Sequence, residues 1–266
     1  MNRNDTAKPR IVPRTVAAVF ALLLGVTCAR AEAPLDGLTE GPRLTAASVA
    51  YAASFDLSDG SRVRLVGIRA PKPDAPPFTG RGEPLGAEAK AFVEAFVRGR
   101  ALVLYFDANP QDRYGRRLAH VVRDDGAWLQ RALLEKGFAR VYSLPDNRRG
   151  VAAMLAVEDA ARRAGRGLWA LPEYRVRTAA EVEPGGFQLV EGVVLAQSSG
   201  DGPTYLNFGR AWARDFTVRI APGDRKRFGA RMPDYRGKRV RVRGWVFETD
   251  GPMIAATHPE QIEILD

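Results

Sequence analysis

The chain has 266 residues, which is long enough for one large domain or for two small domains that each bury a core. Its hydrophobic fraction of 45% and charged fraction of 27% are typical of a soluble globular protein, and no repeat or low-complexity run is present. The net charge of +9 favours an anionic partner, such as nucleic acid or a membrane surface, although it identifies none. The single cysteine, Cys28, excludes a disulfide framework.

Residues 1–31 have the pattern of a secretory signal peptide, in which a basic start precedes an apolar run at 15–28. The run is shorter than the roughly 20 apolar residues that a membrane span needs, and Ala29, Arg30 and Ala31 form an A-x-A cleavage site. We expect cleavage after about Ala31 and export to the periplasm or the medium, leaving no membrane span in the mature chain. The alternative is an uncleaved anchor or a lipid anchor on Cys28, which the preceding Thr27 disfavours.

Residues 32–47 are small and polar and predict a flexible lead-in. Two strands are expected at 49–57 and 62–68, joined by a hairpin turn at Asp59 and Gly60. Alternation along the second strand places Val63 and Leu65 on one face and Arg62 and Arg64 on the other. Five prolines in 71–86 predict a long irregular loop.

Helical spacing of apolar residues and strand-like runs alternate over the following hundred residues. Helices are predicted at 88–97, 128–136 and 151–164, and strands at 100–107 and 116–122. A polar turn, Asp112 to Gly115, precedes Arg116.

The stretch SFDLSDGSRVRLVGIRAPK at 54–72, followed after a helical segment by DRYGR at 112–116, resembles the staphylococcal nuclease (thermonuclease) family. The family pattern is Gly-Asp-Thr, then Arg-Leu-x-x-(Ile/Val)-Asp-x-Pro-Glu, then Tyr-Gly-Arg. The two arginines are retained as Arg64 and Arg116. The three acids are not, because the aspartates fall at Ala53 and Arg69 and the glutamate falls at Lys72.

The resemblance implies a catalytic role in phosphate contact for Arg64 and Arg116, and a Ca²⁺ ion held by the two aspartates. Calcium prefers anionic oxygen ligands, and the three replacements make the site five charge units more positive. At about 6 Å and an effective dielectric of about 20, each unit is worth roughly 3 kcal/mol against another. We therefore expect no cofactor, and calcium-dependent cleavage that is lost or very weak. Asp74 or Glu83 is the alternative acid for an active site.

The residues at and beside these pattern positions are mostly cationic. Guanidinium groups suit phosphate, and a tyrosine ring can stack on a base. The candidate phosphate-binding residues are Arg69, Lys72, Arg113 and Tyr114, beside Arg64 and Arg116. The alternative is that these arginines pair with Asp107, Asp112 or Glu83 and only stabilise the fold.

Residues 170–185 predict a linker, and 186–266 predict a second series of strands with one short helix at 224–232. Five or so strands in that order favour a second, smaller OB-like β-barrel. Within the strand at 239–248, Arg239, Arg241 and Arg243 share one face with Trp245, a pattern that suits single-stranded nucleic acid. The alternative is an amphipathic strand with a solvated face. Tyr205, Phe208 and Trp212 are expected in the core.

The fold predicted is α+β, mainly β with helices: a nuclease-like, OB-type five-stranded barrel at 48–169, then the second barrel. The leading functional hypothesis is an exported, catalytically degenerate relative that binds nucleic acid or another polyanion. Two alternatives remain open: an active endonuclease that uses Asp74 or Glu83, and a structural or protein-binding OB module. His120 and His258 lie far apart and indicate neither zinc nor a Ser–His site.

Overall fold

Within the described residues, two large β-sheets follow each other along the chain, and the part that contains the first also has a two-stranded sheet and three α-helices. The computed structural model describes Met1 and residues 35–74, 81–198, 200–211 and 214–265. The predicted signal peptide, part of the proline-rich loop at 75–80, and Trp212 lie outside these residues. Within them, no helix combines the length and the apolar character that crossing a membrane requires.

The first sheet has the strand order β1-β6-β7-β4-β3-β2, with β4 and β7 parallel, and β5 pairs separately with β8. Its elements are β1 (Thr39–Leu44), β2 (Ala46–Tyr51), β3 (Ser54–Leu57), β4 (Arg62–Leu65), β5 (Ile68–Arg69), α1 (Gly86–Val97), β6 (Leu102–Phe106), β7 (Arg117–Arg123), α2 (Leu129–Glu135), β8 (Arg140–Val141) and α3 (Val151–Arg163).

The second sheet has the order β11-β12-β13-β15-β14-β10-β9, and β16 also pairs with β14. Its strands are β9 (Arg177–Thr178), β10 (Phe187–Val193), β11 (Ala196–Gln197), β12 (Thr204–Asn207), β13 (Thr217–Ile220), β14 (Arg239–Glu248), β15 (Pro252–Ala255) and β16 (Ile262–Ile264). The predicted α+β class, with many strands, few helices and a second β-rich part after the first, is confirmed. The expected short helix near 224–232 is a 3-10 helix, Pro222–Phe228.

Each sheet has its own apolar core. In the first, Val63 and Leu65 of β4 are buried, as strand alternation predicts, together with Ala89 and Val93 of α1. The second core includes a separate set of side chains: Val190, Phe216, Val218, Val242 and Ile254. The Asp59–Gly60 hairpin is also present, with Gly60 at φ +80° and the Ser61 N–H donating to Asp59 Oδ1 over 3.1 Å.

Thr39–Leu44, expected within a flexible lead-in, instead forms a strand paired with β6. The backbone donors and acceptors along that edge of β6 gain partners by this pairing. Gly41 permits the close approach, since a Cβ atom there would lie 2.3 Å from Cε2 of Phe106. The sequence reading missed the strand because Gly41 and Pro42 are poor strand formers.

The expected single strand at 49–57 is two strands, because the chain turns at Ala52 and Ala53 and Tyr51 pairs with Ser54. Both alanines are buried. The expected linker also has structure, since Arg177 pairs with Val190 of β10 and Tyr174 is buried. The division into two domains at 170–185 stays a prediction.

Candidate functional site

The tight turn between β2 and β3 brings Ala53 against the strand that carries Arg64. Ser54 pairs with Arg64, and the Leu65 N–H donates to the Ala53 carbonyl over 2.9 Å. Because Leu65 is in the core, Arg64 projects from the opposite face of β4. There the Arg64 Nη1 donates to the Tyr51 hydroxyl over 3.0 Å. Arg64 forms no carboxylate ion pair among the described residues.

Glu83 joins the two ends of the proline-rich loop to the end of β5. Its carboxylate accepts from Arg69 Nη2 over 2.8 Å and from the Lys72 backbone N–H over 3.0 Å. The Glu83 N–H in turn donates to the Lys72 carbonyl over 2.8 Å. The ion pair between Arg69 and Glu83 fixes the Arg69 side chain, so this part of the structural alternative is present.

These residues converge on one cavity of about 160 Å³, which we call the cleft. Its lining residues are Tyr51, Ala53, Arg64, Arg69, Ala70, Lys72, Tyr142 and Trp245. The three positions that the resemblance assigns to carboxylates, Ala53, Arg69 and Lys72, therefore face the same space. This convergence could be expected from the sequence, whereas the presence of Tyr142 and Trp245 could not.

The side chains at the cleft do not fit a calcium ion. The three assigned positions supply one methyl group and two cations. Glu83 is nearby, but both of its oxygens accept hydrogen bonds from Arg69 or Lys72. Among the described residues, no group of three or more His, Cys, Asp or Glu side chains could hold a metal. Asp74 is exposed and is not one of the described residues that line the cleft.

Arg116 does not line the cleft. It pairs with Asp112 across the polar turn, with Nη2 at 2.7 Å from Oδ2. Burial alone would raise the pKa of Asp112, but hydrogen bonds from Arg116 and from turn N–H groups outweigh it and hold this pKa below its ordinary value. The arrangement matches the alternative in which Arg116 stabilises the turn.

Arg116 instead borders a second concavity of about 590 Å³, which we call the turn pocket. Its lining residues are Asp56, Gly60, Ser61, Arg62, Tyr114, Gly115 and Arg116. Tyr114 is 68% exposed, and the guanidinium carbons of Arg113 and Arg116 lie 4.8 and 5.3 Å from its ring centroid. The sequence-predicted phosphate residues therefore divide between two places, the cleft and the turn pocket.

Two arginines of β14 are buried, which corrects the prediction that Arg239, Arg241 and Arg243 form one accessible face. Arg243 is 1% exposed, and its Nη1 lies 2.7 Å from Oε2 of Glu158 in α3. Its Nη2 contacts Glu263 of β16. Burial would lower the pKa of Arg243, but Glu158 and Glu263 more than offset it and raise that pKa above its ordinary value.

Arg241 follows the same pattern, with Nη2 at 2.7 Å from Oε1 of Glu191 and 7% of its surface exposed. Only Arg239 remains exposed, and it too pairs with Glu191 over 3.0 Å. The physical reason is that carboxylates from three other elements lie against these two arginines: Glu158 and Asp159 of α3, Glu191 of β10 and Glu263 of β16. The solvated-face alternative is therefore also wrong for Arg241 and Arg243.

The ion pair between Arg243 and Glu158 is one of several contacts between the first and second parts of the chain. We call these contacts together the seam. The Ser143 Oγ lies 2.7 Å from Nε2 of His258, and Arg148 pairs with Glu260 over 2.7 Å. Arg140 of β8 lies opposite Arg69 of β5 in the backbone register of these two strands. Its side chain donates a hydrogen bond to the Phe187 carbonyl over 2.9 Å.

Both histidines are buried within their surroundings. Burial lowers the pKa of His258 to about 4, and it lowers the pKa of His120 to about 4 as well. His258 is held in the seam by Ser143 and Thr257. His120 packs against Trp128, with ring centroids 5.5 Å apart. The two side chains thus serve separate parts of the fold.

Of the aromatic residues expected in the core, Phe208 packs there and Tyr205 is only half-buried.

Trp245 extends from β14 to the cleft and is 50% exposed. Its ring makes an edge contact with Phe187, with centroids 6.2 Å apart, and Phe187 makes a similar contact with Tyr142 over 5.4 Å. The guanidinium carbon of Arg69 lies 5.4 Å from the Trp245 ring centroid. The second part of the chain therefore supplies one wall of the cleft.

Comparison with known proteins agrees with this geometry. The family model described as "Staphylococcal nuclease homologue" matches residues 62–171. A thermonuclease of Staphylococcus intermedius is 34% identical over 89 residues, which are 32% of this chain and 49% of the relative. The chain thus spans about half the length of the curated relative that it matches. Residues 62–171, which carry Arg64, Arg69, Lys72 and Arg116, are therefore similar to the staphylococcal nuclease family.

Proposed function

We propose that the cleft binds a phosphate of nucleic acid through Arg64 and Lys72, and that calcium-dependent phosphodiester cleavage is lost or very weak. The observation that carries the proposal is the meeting of Ala53, Arg69 and Lys72 in one cavity. The similarity of residues 62–171 to the staphylococcal nuclease family suggests nuclease activity or nucleic-acid binding, and this set of side chains favours binding.

The charges at the cleft support the binding half of the proposal. Arg64 presents a guanidinium whose hydrogen bond in the structure goes to the neutral Tyr51 hydroxyl. A phosphate oxygen would add a charge-assisted hydrogen bond there, which is about twice as strong as a neutral one. Lys72 is exposed at the rim and adds a second positive charge.

The absence of cleavage follows from what the side chains cannot supply. A carboxylate that activates water typically contributes about 10²–10⁴ in rate, and lysine, a cation at neutral pH, stands at that position. Glu83 is the nearest candidate substitute. Its ion pair with Arg69 holds it in place, and both of its carboxylate oxygens already accept hydrogen bonds.

A cleavage assay tests the chemical half of the proposal. Single-stranded DNA, RNA and plasmid DNA are incubated with the protein in Ca²⁺ and, in parallel, in EDTA. We expect intact substrate in both conditions. Cleavage that disappears with EDTA, and that a Glu83→Gln or Asp74→Asn variant also abolishes, would overturn this half and establish the endonuclease alternative.

Fluorescence anisotropy of a labelled oligonucleotide tests the binding half. Affinity should fall steeply with salt, because each neutralised phosphate releases counterions and contributes about 0.7 to the logarithmic slope for a single strand. No binding at low salt would contradict the proposal and favour a structural or protein-binding role.

We also propose that the chain is exported and loses about its first 31 residues. The support is the sequence pattern of a basic start, an apolar run and an A-x-A site. Expression in a bacterial host, fractionation of the periplasm and N-terminal sequencing of the product test it. A product in the periplasmic fraction that begins near Glu32 is expected, whereas a full-length product in the cytoplasmic fraction would contradict export.

A further inference from the structure

We infer that Trp245 forms a base-stacking subsite of the cleft, so that the ligand is single-stranded nucleic acid with an unpaired base beside the bound phosphate. The inference rests on the proposed function, because it requires a phosphate at Arg64 and Lys72. It assigns the two halves of one nucleotide to two parts of the chain. The family-matched residues hold the phosphate, and the second sheet receives the base.

The first observation is the exposure of the ring. Trp245 is 50% exposed, whereas Trp128 is 4% exposed and packs in the first core. A large aromatic surface at the border of a cationic cleft costs free energy while it stays in water. Stacking of a base removes that surface from water and tolerates any base, since every base presents a π face.

The second observation is the set of side chains that line the cleft together with the Trp245 ring. Tyr51 and Tyr142 line the same cavity, and Arg64 and Lys72 supply positive charge beside it. Proteins that bind single strands combine cations that follow the backbone with aromatic rings that receive the bases. The cleft contains both kinds of group within 160 Å³ of space.

The third observation is that the ring already contacts other side chains of the fold, Phe187 and Arg69. Phe187 contacts its edge, and the Phe187 carbonyl accepts a hydrogen bond from Arg140 over 2.9 Å. Two residues before Trp245 on the same strand, Arg243 is fixed by its ion pair with Glu158. A ring fixed before the ligand arrives loses little conformational freedom on binding.

Duplex DNA presents its bases differently. Each base is paired and stacked, so contact of a base face with Trp245 would require that the base leave the helix, which costs a few kcal/mol. A duplex should therefore use the phosphate contacts alone. The same is true of a strand that has no bases.

The test compares three ligands of equal length by anisotropy: a single strand, its duplex, and an abasic strand that retains every phosphate. We expect the full-length protein to bind the single strand about tenfold more tightly than the abasic strand. Trp245→Leu should remove this preference and leave affinity for the abasic strand unchanged, while Trp245→Phe should retain most of it. Leucine preserves apolar volume, so a ring with a packing role only would show no such difference between the two variants.

Phe247→Ala is the matched control, because Phe247 lies on the same strand, is 39% exposed and borders a different cavity. It should leave the preference intact. Equal binding of the single and abasic strands by the unmodified protein would overturn the inference while phosphate binding stands. Loss of preference in Phe247→Ala instead of Trp245→Leu would also overturn it. Failure of all three ligands to bind would contradict the proposed function itself.

A second readout uses the four tryptophans of the chain. Stacking of a base on Trp245 should quench part of the intrinsic fluorescence when the single strand is added, and the abasic strand should not. Trp245→Phe should abolish that quenching while retaining binding. Quenching that persists in Trp245→Phe would place the base elsewhere and overturn the inference.

Discussion

The cleft and the seam both contain arginines, but Arg64 at the cleft and Arg243 at the seam have opposite surroundings. At the seam, Arg243 is 1% exposed and contacts two carboxylates, those of Glu158 and Glu263. At the cleft, Arg64 borders open space and donates a hydrogen bond to the neutral Tyr51 hydroxyl. The same type of side chain thus stabilises the fold in one place and suits an anion in the other. The position of the counter-charge makes the difference.

The largest effect is expected when the seam loses its central cation. Arg243→Met should lower the free energy of unfolding by about 3–5 kcal/mol, because Glu158 remains buried without its partner. Urea denaturation measures it. Arg239→Met on the same strand, where the side chain is 61% exposed, is the control and should change stability by less than about 1 kcal/mol. Equal costs for both would show that the seam arginine is no more buried in solution than its neighbour.

The second-largest effect is expected from acid, which should lower the free energy of unfolding through His258 of the seam. The folded protein keeps His258 neutral down to a pKa of about 4, whereas the unfolded chain protonates this side chain below its ordinary pKa of 6.5. The contribution of neutral His258 to the free energy of unfolding is therefore fully present above pH 6.5. It decreases by about 3 kcal/mol as the pH falls toward 4. His120 has the same shift and adds to the decrease.

Urea denaturation between pH 4 and 7.5 tests this dependence. His258→Gln should reduce the slope of unfolding free energy against pH by up to one proton relative to the unmodified protein, and His120 should account for a further part. An unchanged slope in His258→Gln would mean that His258 is already accessible to protons in the folded state. Nucleic-acid affinity is not expected to follow this slope.

At the cleft, Arg64→Ala should lower oligonucleotide affinity by about tenfold, equivalent to roughly 1.4 kcal/mol, with little change in stability. The salt dependence should decrease by about 0.7 in logarithmic slope, since one phosphate contact is lost. Arg62→Ala is the control, because Arg62 projects from the same strand but pairs with Asp56 in the turn pocket. Anisotropy with one labelled strand measures all three proteins.

The smallest effect on binding is expected at Arg116, although the family resemblance assigns it a phosphate contact. Arg116→Ala should change affinity by less than about twofold and lower stability by about 1 kcal/mol, because it removes the ion pair with Asp112. A loss of affinity equal to that of Arg64→Ala would instead show that Arg116 leaves Asp112 and enters the cleft when the ligand binds.

Local patterns in the sequence predicted the local structure well. The apolar spacing of α1 and the alternation of β4 follow from helical and strand geometry, and both are present with the expected buried residues. The replacement of three carboxylates is also a local fact, since it depends only on the order of residues around Arg64. Their convergence on one cavity then follows from the family pattern.

Long-range contacts could not be predicted from the same patterns. Alternation correctly placed Arg241 and Arg243 on one face of β14, but it says nothing about what covers that face. The partner of Arg243 is Glu158, 85 residues earlier in the chain. The arrival of Trp245 at the cleft depends on the same packing. Thr39–Leu44 likewise becomes a strand only because the edge of β6 is available.

The ion pair between Arg243 and Glu158 has a consequence for work on fragments of this protein. Glu158 belongs to the family-matched residues 62–171, whereas Arg243 lies outside them. A fragment that ends near residue 171 would retain the carboxylate of Glu158 without its counterion. Insolubility or weak binding of such a fragment would therefore reflect the loss of this ion pair and not a property of the cleft. Measurements of ligand binding at the cleft should use the longer chain.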